Sequence, residues 1–268
     1  MLKALAPLAL FLPLFGLPGA MANEAPREVV ADLAPGGKLR AAINFGNSVL
    51  AQRDPAGGPP RGVSGDLARE LARRLGVGLE YVTFDAAGKV FEALKSGAWD
   101  IAFMAIDPLR AEEIAFTGPY VVIEGVYLVP SASPLRSIEE VDRDGVRIAV
   151  ARASAYDLFL TRAIKRARLV REPSGPEALE MFLRDRLEAA AGVKQPMVAF
   201  AREHQQTRVV PGRFMAIEQA MGTPKARANG ARYLRAFVEE MKASGFIARS
   251  LRASGQGDAT VAPPSPLD

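Results

Sequence analysis

The sequence predicts an α/β protein of two lobes, each a βαβαβ-based sheet with flanking helices, joined by a two-strand hinge. Three observations carry that prediction. Short apolar runs of strand character alternate with amphipathic helical patterns, at spacings that suit right-handed crossovers between parallel strands. The alternation occurs twice along the chain. Between the two occurrences lies Ile114 to Val129, an extended, aromatic and β-branched stretch suited to pass from one lobe to the other. One continuous doubly wound sheet is the alternative arrangement of the same repeated units.

The chain opens with Met1-Leu2-Lys3, an uncharged run from Ala4 to Leu17, and the small-x-small triplet Ala20-Met21-Ala22. Residues 1–22 therefore read as a secretory signal peptide cleaved after Ala22, which places the protein in the periplasm. Pro7, Pro13 and Pro18 interrupt a run shorter than the roughly 20 apolar residues that span a bilayer, which argues against an anchor. A polar leader ends at Lys38, and Leu39 to Phe45 suits a buried strand. Gly65-Asp66 opens a helix in which Leu67, Leu71 and Leu75 recur every four residues, and Gly76 stops it. Leu79 to Thr83 is strand-like, Val90, Phe91 and Leu94 mark a short helix ended by Gly97, and Asp100 to Met104 is a further strand.

The second unit repeats the order. Strands are expected over Val146–Ala151, Arg168–Arg171 and Glu188–Gly192, with helices over Ala155–Ala163 and Pro176–Leu183 between them. A long helix, Ala231–Ala243, stops at Gly245. The resulting division is residues 23–122 with 217–254 as lobe I, 123–216 as lobe II, and 255–268, rich in proline, as a disordered tail.

Composition narrows the function. Hydrophobic residues make up 49% and charged residues 24%, which is globular rather than disordered. The absence of cysteine excludes a lipid-modified cysteine, disulfides, thiolate ligands and a thiol nucleophile. Lys and Arg exceed Asp and Glu by 34 to 30, and the positive residues are scattered, so no nucleic-acid partner is expected. His204, the single histidine, lies in a polar stretch and reads as a surface residue, so no metal and no cofactor are implied. Two facing lobes would set their strand-end loops, where such folds bind ligands, across one cleft.

Four segments resemble the family 3 extracellular solute-binding proteins, the polar-amino-acid receptors of ABC transporters. Gly65-Asp66-Leu67-Ala68 with Leu75-Gly76-Val77 is similar to the family's G-x-D-x-x-L-A…L-G-V segment, and Ala93-Leu94-Lys95-Ser96-Gly97 with Asp100 to its A-L-x-S-G-x-x-D segment. Ile106-Asp107-Pro108-Leu109-Arg110 followed by Ile114-Ala115-Phe116-Thr117-Gly118-Pro119-Tyr120 looks like I-T-P-E-R…V-D-F-S-x-P-Y, and Met241 to Ile247 matches the family's C-terminal helix ending. The resemblance implies a type II periplasmic-binding clamshell, acting as a monomer, that captures a small carboxylate-bearing ligand for an ABC permease. It also implies two alternatives on the same scaffold, a periplasmic dehydratase acting on cyclic carboxylates and a sensor without a permease.

The resemblance places the carboxylate-gripping arginine at Arg110, whose planar guanidinium matches a carboxylate bidentately. It places the second lobe's anion site at Ala153-Ser154-Ala155, where Ser154 is equally a favoured helix N-cap. The departures are informative. The family's hydroxyl-bearing positions fall on Phe103 and Ala105, its threonine is Asp107, and the acid that receives an α-ammonium falls near Val193, beside Lys194 and Gln195. Phe45 and Asn47 stand in the loop that usually carries an aromatic platform. A buried ammonium without an acceptor costs several kcal/mol, so the ligand is not expected to be held as an ordinary α-amino acid. Asp107 and Glu124 are the candidate substitutes for the missing acid; Asp107 equally serves as a partner for Arg110, and Glu124 as a solvated hinge residue. Lys89 and Lys194 facing inward together would imply a dianionic ligand.

Overall fold

The computed structural model describes residues 25–266, so the expected signal segment 1–22 lies outside the described residues. In chain order the elements are α1 (Arg27–Leu33), β1 (Lys38–Asn44), α2 (Val63–Leu75), β2 (Gly78–Phe84), α3 (Ala87–Glu92), β3 (Ile101–Ala105), α4 (Pro108–Ala111) and β4 (Ile114–Pro130). There follow β5 (Arg147–Ala151), α5 (Ala155–Ala163), β6 (Arg168–Glu172), α6 (Gly175–Arg184), β7 (Ala189–Val193), α7 (Lys194–Glu203), β8 (Thr207–Val209), β9 (Met215–Pro224), α8 (Ala228–Ala243), α9 (Phe246–Ala253) and β10 (Thr260–Val261). None of the described helices is long and apolar enough to cross a membrane.

The elements follow from local chemistry. Leu67, Leu71 and Leu75 are buried on one face of α2, which ends where Gly76 takes the left-handed conformation (φ 66°) and its N–H reaches back to Ala72 O. All five residues of β3 are buried, as befits a strand covered on both faces. Trp99, fully buried, donates its indole N–H to Val90 O at 2.9 Å and ties α3 to the strand. Asp100 beside it accepts from Arg40 and Arg227, each at 2.8 Å. Burial opposes ionisation of that carboxyl, yet the two guanidiniums hold it below the usual range.

The strand order is β2-β1-β3-β9-β4-β7-β5-β6. Within it β1 pairs in parallel with β2 and β3, and β5 with β6 and β7, so each βαβαβ unit has its first strand in the middle. Antiparallel pairing of β3 with β9, β9 with β4 and β4 with β7 joins the two half-sheets. The chain is thus the α/β clamshell expected, and its hinge strands also make the two half-sheets one hydrogen-bonded path. Separate cores serve the two halves: Leu39, Leu67, Phe103 and Leu234 belong to one, Tyr127, Ile148, Val150 and Leu160 to another.

Several elements were not expected. The polar leader contains α1, which buries Val29 and Leu33. The single extended stretch is β4, whose register against β9 shifts around Pro119, where proline has no N–H to give. At the same shift Thr117 Oγ1 accepts from Met221 N at 3.2 Å and so satisfies a donor of β9. The tail differs most from expectation. Instead of being disordered, β10 pairs with Val121 and Val122 of β4, Ala262 N donates to Tyr120 O at 3.1 Å, and Lys242 Nζ donates to Pro263 O at 2.8 Å. The prolines stop helix formation without preventing this edge pairing. Truncation after Ser254 is therefore expected to lower stability by about 1–3 kcal/mol, the scale of a few lost hydrogen bonds and of the apolar surface that Ala259 and Ala262 cover. Urea denaturation followed by circular dichroism checks it; an unchanged midpoint would mean that the tail contributes nothing.

Candidate functional site: a cleft between the half-sheets

The β3–α4 junction faces the β5–α5 junction across a cleft. Asp107 caps α4, accepting from Leu109 N at 3.0 Å, and Pro108 follows in the first helical turn, so the chain turns sharply and Arg110 folds back beneath β3. Arg110 is 1% exposed. Its Nη1 donates to Ala105 O at 3.0 Å on its own side, and its Nη2 donates to Ala153 O at 2.8 Å on the other, while its buried Nε has no partner. Burial pushes this guanidinium down to about 10, with Asp107 opposing the shift, and it remains a cation at neutral pH.

The facing loop is shaped to receive it. Ala153 has a positive φ of 54°, uncommon for a residue with a Cβ. Asp157 holds that conformation by accepting from Ala153 N at 2.8 Å and from Arg171 Nε at 2.9 Å. Ser154 caps α5 through its Oγ, which accepts from Asp157 N at 3.1 Å and keeps a hydroxyl proton to donate. Two further contacts close the mouth. Arg162 Nη2 lies 2.8 Å from Asp107 Oδ2 across the cleft. A Cβ added at Gly88 would stand 3.0 Å from both Ala153 Cβ and Arg152 O, so α3 approaches the loop as closely as glycine permits.

Between these elements lies a small cavity of about 60 Å³ that opens to solvent. Of the residues singled out in the sequence, Arg110, Ala105, Ser154, Ala155 and Asn47 line it, and so do Phe103 and Val193. Phe45 lines an adjoining chamber and lies 4.3 Å beneath the Arg53 guanidinium. Asn47 Oδ1 is buried without a partner.

The remaining candidates lie elsewhere. Asp107 is not in the cavity wall, because its two carboxylate oxygens are taken by the helix cap and by Arg162. Glu124, on β4, pairs with Lys194 at 2.6 Å and Arg213 at 3.3 Å, which removes both Glu124 and Lys194 from the site. Lys89 pairs with Asp85 at 2.8 Å on an exposed rim. Gln195 lines neither chamber. The two lysines therefore do not converge on a dianionic ligand. His204 stacks on Phe200, with ring centroids 4.0 Å apart, at the end of α7.

Sequence reasoning missed Gln219, Ser64 and Tyr156, which all line the cavity. Gln219 sits on β9, whose Ala-Ile-Glu-Gln-Ala-Met composition gives no strand signal, and is buried by the hinge pairing. Ser64 precedes the Gly65-Asp66 motif by one residue and contacts Tyr120 Oη at 3.4 Å. Tyr156 is in the first turn of α5, and burial pushes its phenol up to about 12.

A two-lobe clamshell closed over a cavity with strand-end loops on both sides is the architecture of a solute-binding protein. The model of the bacterial extracellular solute-binding proteins, family 3, matches residues 50–253, and the chain belongs to this family. Among solved structures it is similar to a mutant of ArgBP from T. maritima, at 21% identity over 85% of this chain and 99% of that one, with a TM-score of 0.72. An amino acid ABC transporter substrate-binding protein from Streptococcus pneumoniae bound to L-arginine is 18% identical over 87% and 99% of the chains, with a TM-score of 0.71. An ancestral amino acid-binding protein, a precursor of cyclohexadienyl dehydratase, is 21% identical over 84% and 98%, with a TM-score of 0.70. Against curated proteins the sequence has no match.

The strain at Ala153 yields a stability test. Ala153→Gly removes a left-handed penalty of about 1–2 kcal/mol and returns about 0.5–1 kcal/mol of backbone entropy to the unfolded chain. A net gain of about 0.5–1 kcal/mol is expected, whereas Ala153→Val should lose more than about 1 kcal/mol. Thermal denaturation of both variants checks this; a loss on Ala153→Gly would refute the strain.

Proposed function

We propose that this protein is a periplasmic receptor that captures a small carboxylate-bearing solute and delivers it to an ABC permease. The observation that carries the reading is Arg110, a fully buried cation hydrogen-bonded only to backbone carbonyls through Nη1 and Nη2, with its Nε unmatched, inside an interlobe cleft. A carboxylate entering there meets the Arg110 charge and the N-terminus of α5, with the Ser154 hydroxyl and the Tyr156 phenol beside it. The lobe boundaries proposed, 122/123 and 216/217, are supported by the pairing of Ile123 with Ile217 in the hinge strands. Binding would favour the closed arrangement held by Arg110, Arg162 and Gly88, and release would follow hinge opening. The signal segment and family membership support the periplasmic location. A binding role is favoured over catalysis because Asp107 and Glu124, the acids considered for proton transfer, are both held in ion pairs away from the cavity.

A cognate carboxylate at a hundredfold excess over Kd is expected to stabilise the protein by about 2.7 kcal/mol, read as a thermal shift. Arg110→Met should abolish that shift while the ligand-free variant still unfolds cooperatively; a full response in the variant would remove the carboxylate assignment. Binding should also be level from about pH 6 to 9, because Arg110 stays protonated below its lowered pKa of about 10. It should weaken as pH falls through roughly 4, where the ligand's own carboxyl protonates. Isothermal titration across that range checks the profile.

A further inference from the structure

The cavity at Arg110 adjoins a second chamber of about 320 Å³. Its walls come from both lobes. Phe45 stands on one side, and Pro176, Leu179, Val193, Pro196 and Met197 on the other, at the ends of β7 and the starts of α6 and α7. Val193, Tyr156, Gly46, Gly175 and Asp85 line both spaces, so a cationic cavity at Arg110 adjoins a mainly apolar chamber.

The charges facing the chamber are few. Arg53 lies flat on the Phe45 ring. Asp85 is the one acid in the wall, and it is exposed and bonded to Lys89 Nζ. Ser174 spends its hydroxyl as the cap of α6, accepting from Glu177 N. A ligand body carrying an ammonium or guanidinium would thus sit near Arg53 and Arg110 and find a single carboxylate, already matched by a lysine. An uncharged hydrocarbon body instead buries apolar area against six apolar side chains and leaves no charge unpaired.

Resting on the carboxylate reading of Arg110, we infer that the ligand is a monocarboxylic acid with an uncharged apolar or aromatic body, seated between Phe45 and Val193, rather than a basic amino acid.

Isothermal titration of the purified protein with propanoate, butanoate, pentanoate, hexanoate, 3-phenylpropanoate, L-arginine and L-lysine tests this. Each added methylene should tighten binding about fourfold, the ratio that corresponds to ~0.8 kcal/mol per buried CH₂. 3-Phenylpropanoate should bind at least a hundredfold more tightly than either basic amino acid. Val193→Asp, which places an acid at the end of β7, should weaken 3-phenylpropanoate at least tenfold with little change in melting temperature. The alkyl series on the unaltered protein stands whether or not that variant folds. Tighter binding of L-arginine or L-lysine, lost in Arg110→Met, would overturn the apolar-body inference while leaving the carboxylate receptor intact. A flat response along the alkyl series would likewise overturn it. Silence towards every carboxylate in the set would overturn both.

Discussion

The antiparallel pairing of β4 with β9 is the constraint on which the remaining structure depends. β4 is 17 residues long, and β9 runs beside it from Met215 to Pro224, so two strands tie the half-sheet of β1–β3 to that of β5–β7. Because each βαβαβ unit ends its parallel strands at loops on one side, joining the units through this ladder turns both sets of loops toward a common space. The ladder also supplies part of the floor: Ile217 and Gln219 reach the cavity from β9. The C-terminal strand β10 adds a short third partner at Val121 and Val122, close to where β4 passes from one half to the other.

Within that frame the cleft is organised by charge. Arg110 contributes a cation whose hydrogen bonds go to the carbonyls of Ala105 and Ala153, with Asp107 acting on it through space and Asp85, paired with Lys89, in the same cavity wall. Every nearby acid has another task. Asp107 caps a helix and bonds Arg162, Asp157 bends the Ala153 loop, and Glu124 binds two cations beside the hinge. These pairings leave the site with a surplus of donors, which is what an anionic ligand requires. The strained φ at Ala153 belongs to the same design, since it turns a carbonyl toward Arg110 and leaves the start of α5 facing the cavity.

The solved relatives share the clamshell at about one-fifth identity or less, and one of them holds L-arginine. The frame is preserved where backbone pairing defines it, while the walls of the cleft are set by individual side chains. Phe103, Ala105 and Val193 line the cleft without a side-chain hydrogen-bonding group, and the larger chamber beside Arg110 is walled by proline, leucine, valine and methionine. Specificity in such a cleft depends as much on the groups that would be left unpaired as on the contacts made.

Much of the fold was legible in the sequence because it depends on local periodicity. Leu67, Leu71 and Leu75 repeat at helical spacing, the all-buried β3 is a continuous apolar run, and α5 spans Ala155–Ala163 as the pattern indicated. The resemblance pointed to Arg110, and the Asp107-Pro108 cap and turn are what place it in the cleft one short step after β3. What the sequence did not reveal depends on contacts between residues far apart. β9 has no strand composition of its own and exists because β3 and β4 offer open edges on either side. The proline-rich tail is ordered by the exposed edge of β4 and by Lys242, more than twenty residues earlier in α8. The fates of Asp107, Glu124 and Lys194 were decided by ion-pair partners up to 89 residues away, which no spacing rule connects, whereas Lys89 pairs locally with Asp85 four residues before it. Sequence alone determined the two-lobe class, because it follows from short-range pattern. Tertiary structure alone decided which charges cancel and which cavity remains, because charge pairing is a property of neighbours in space.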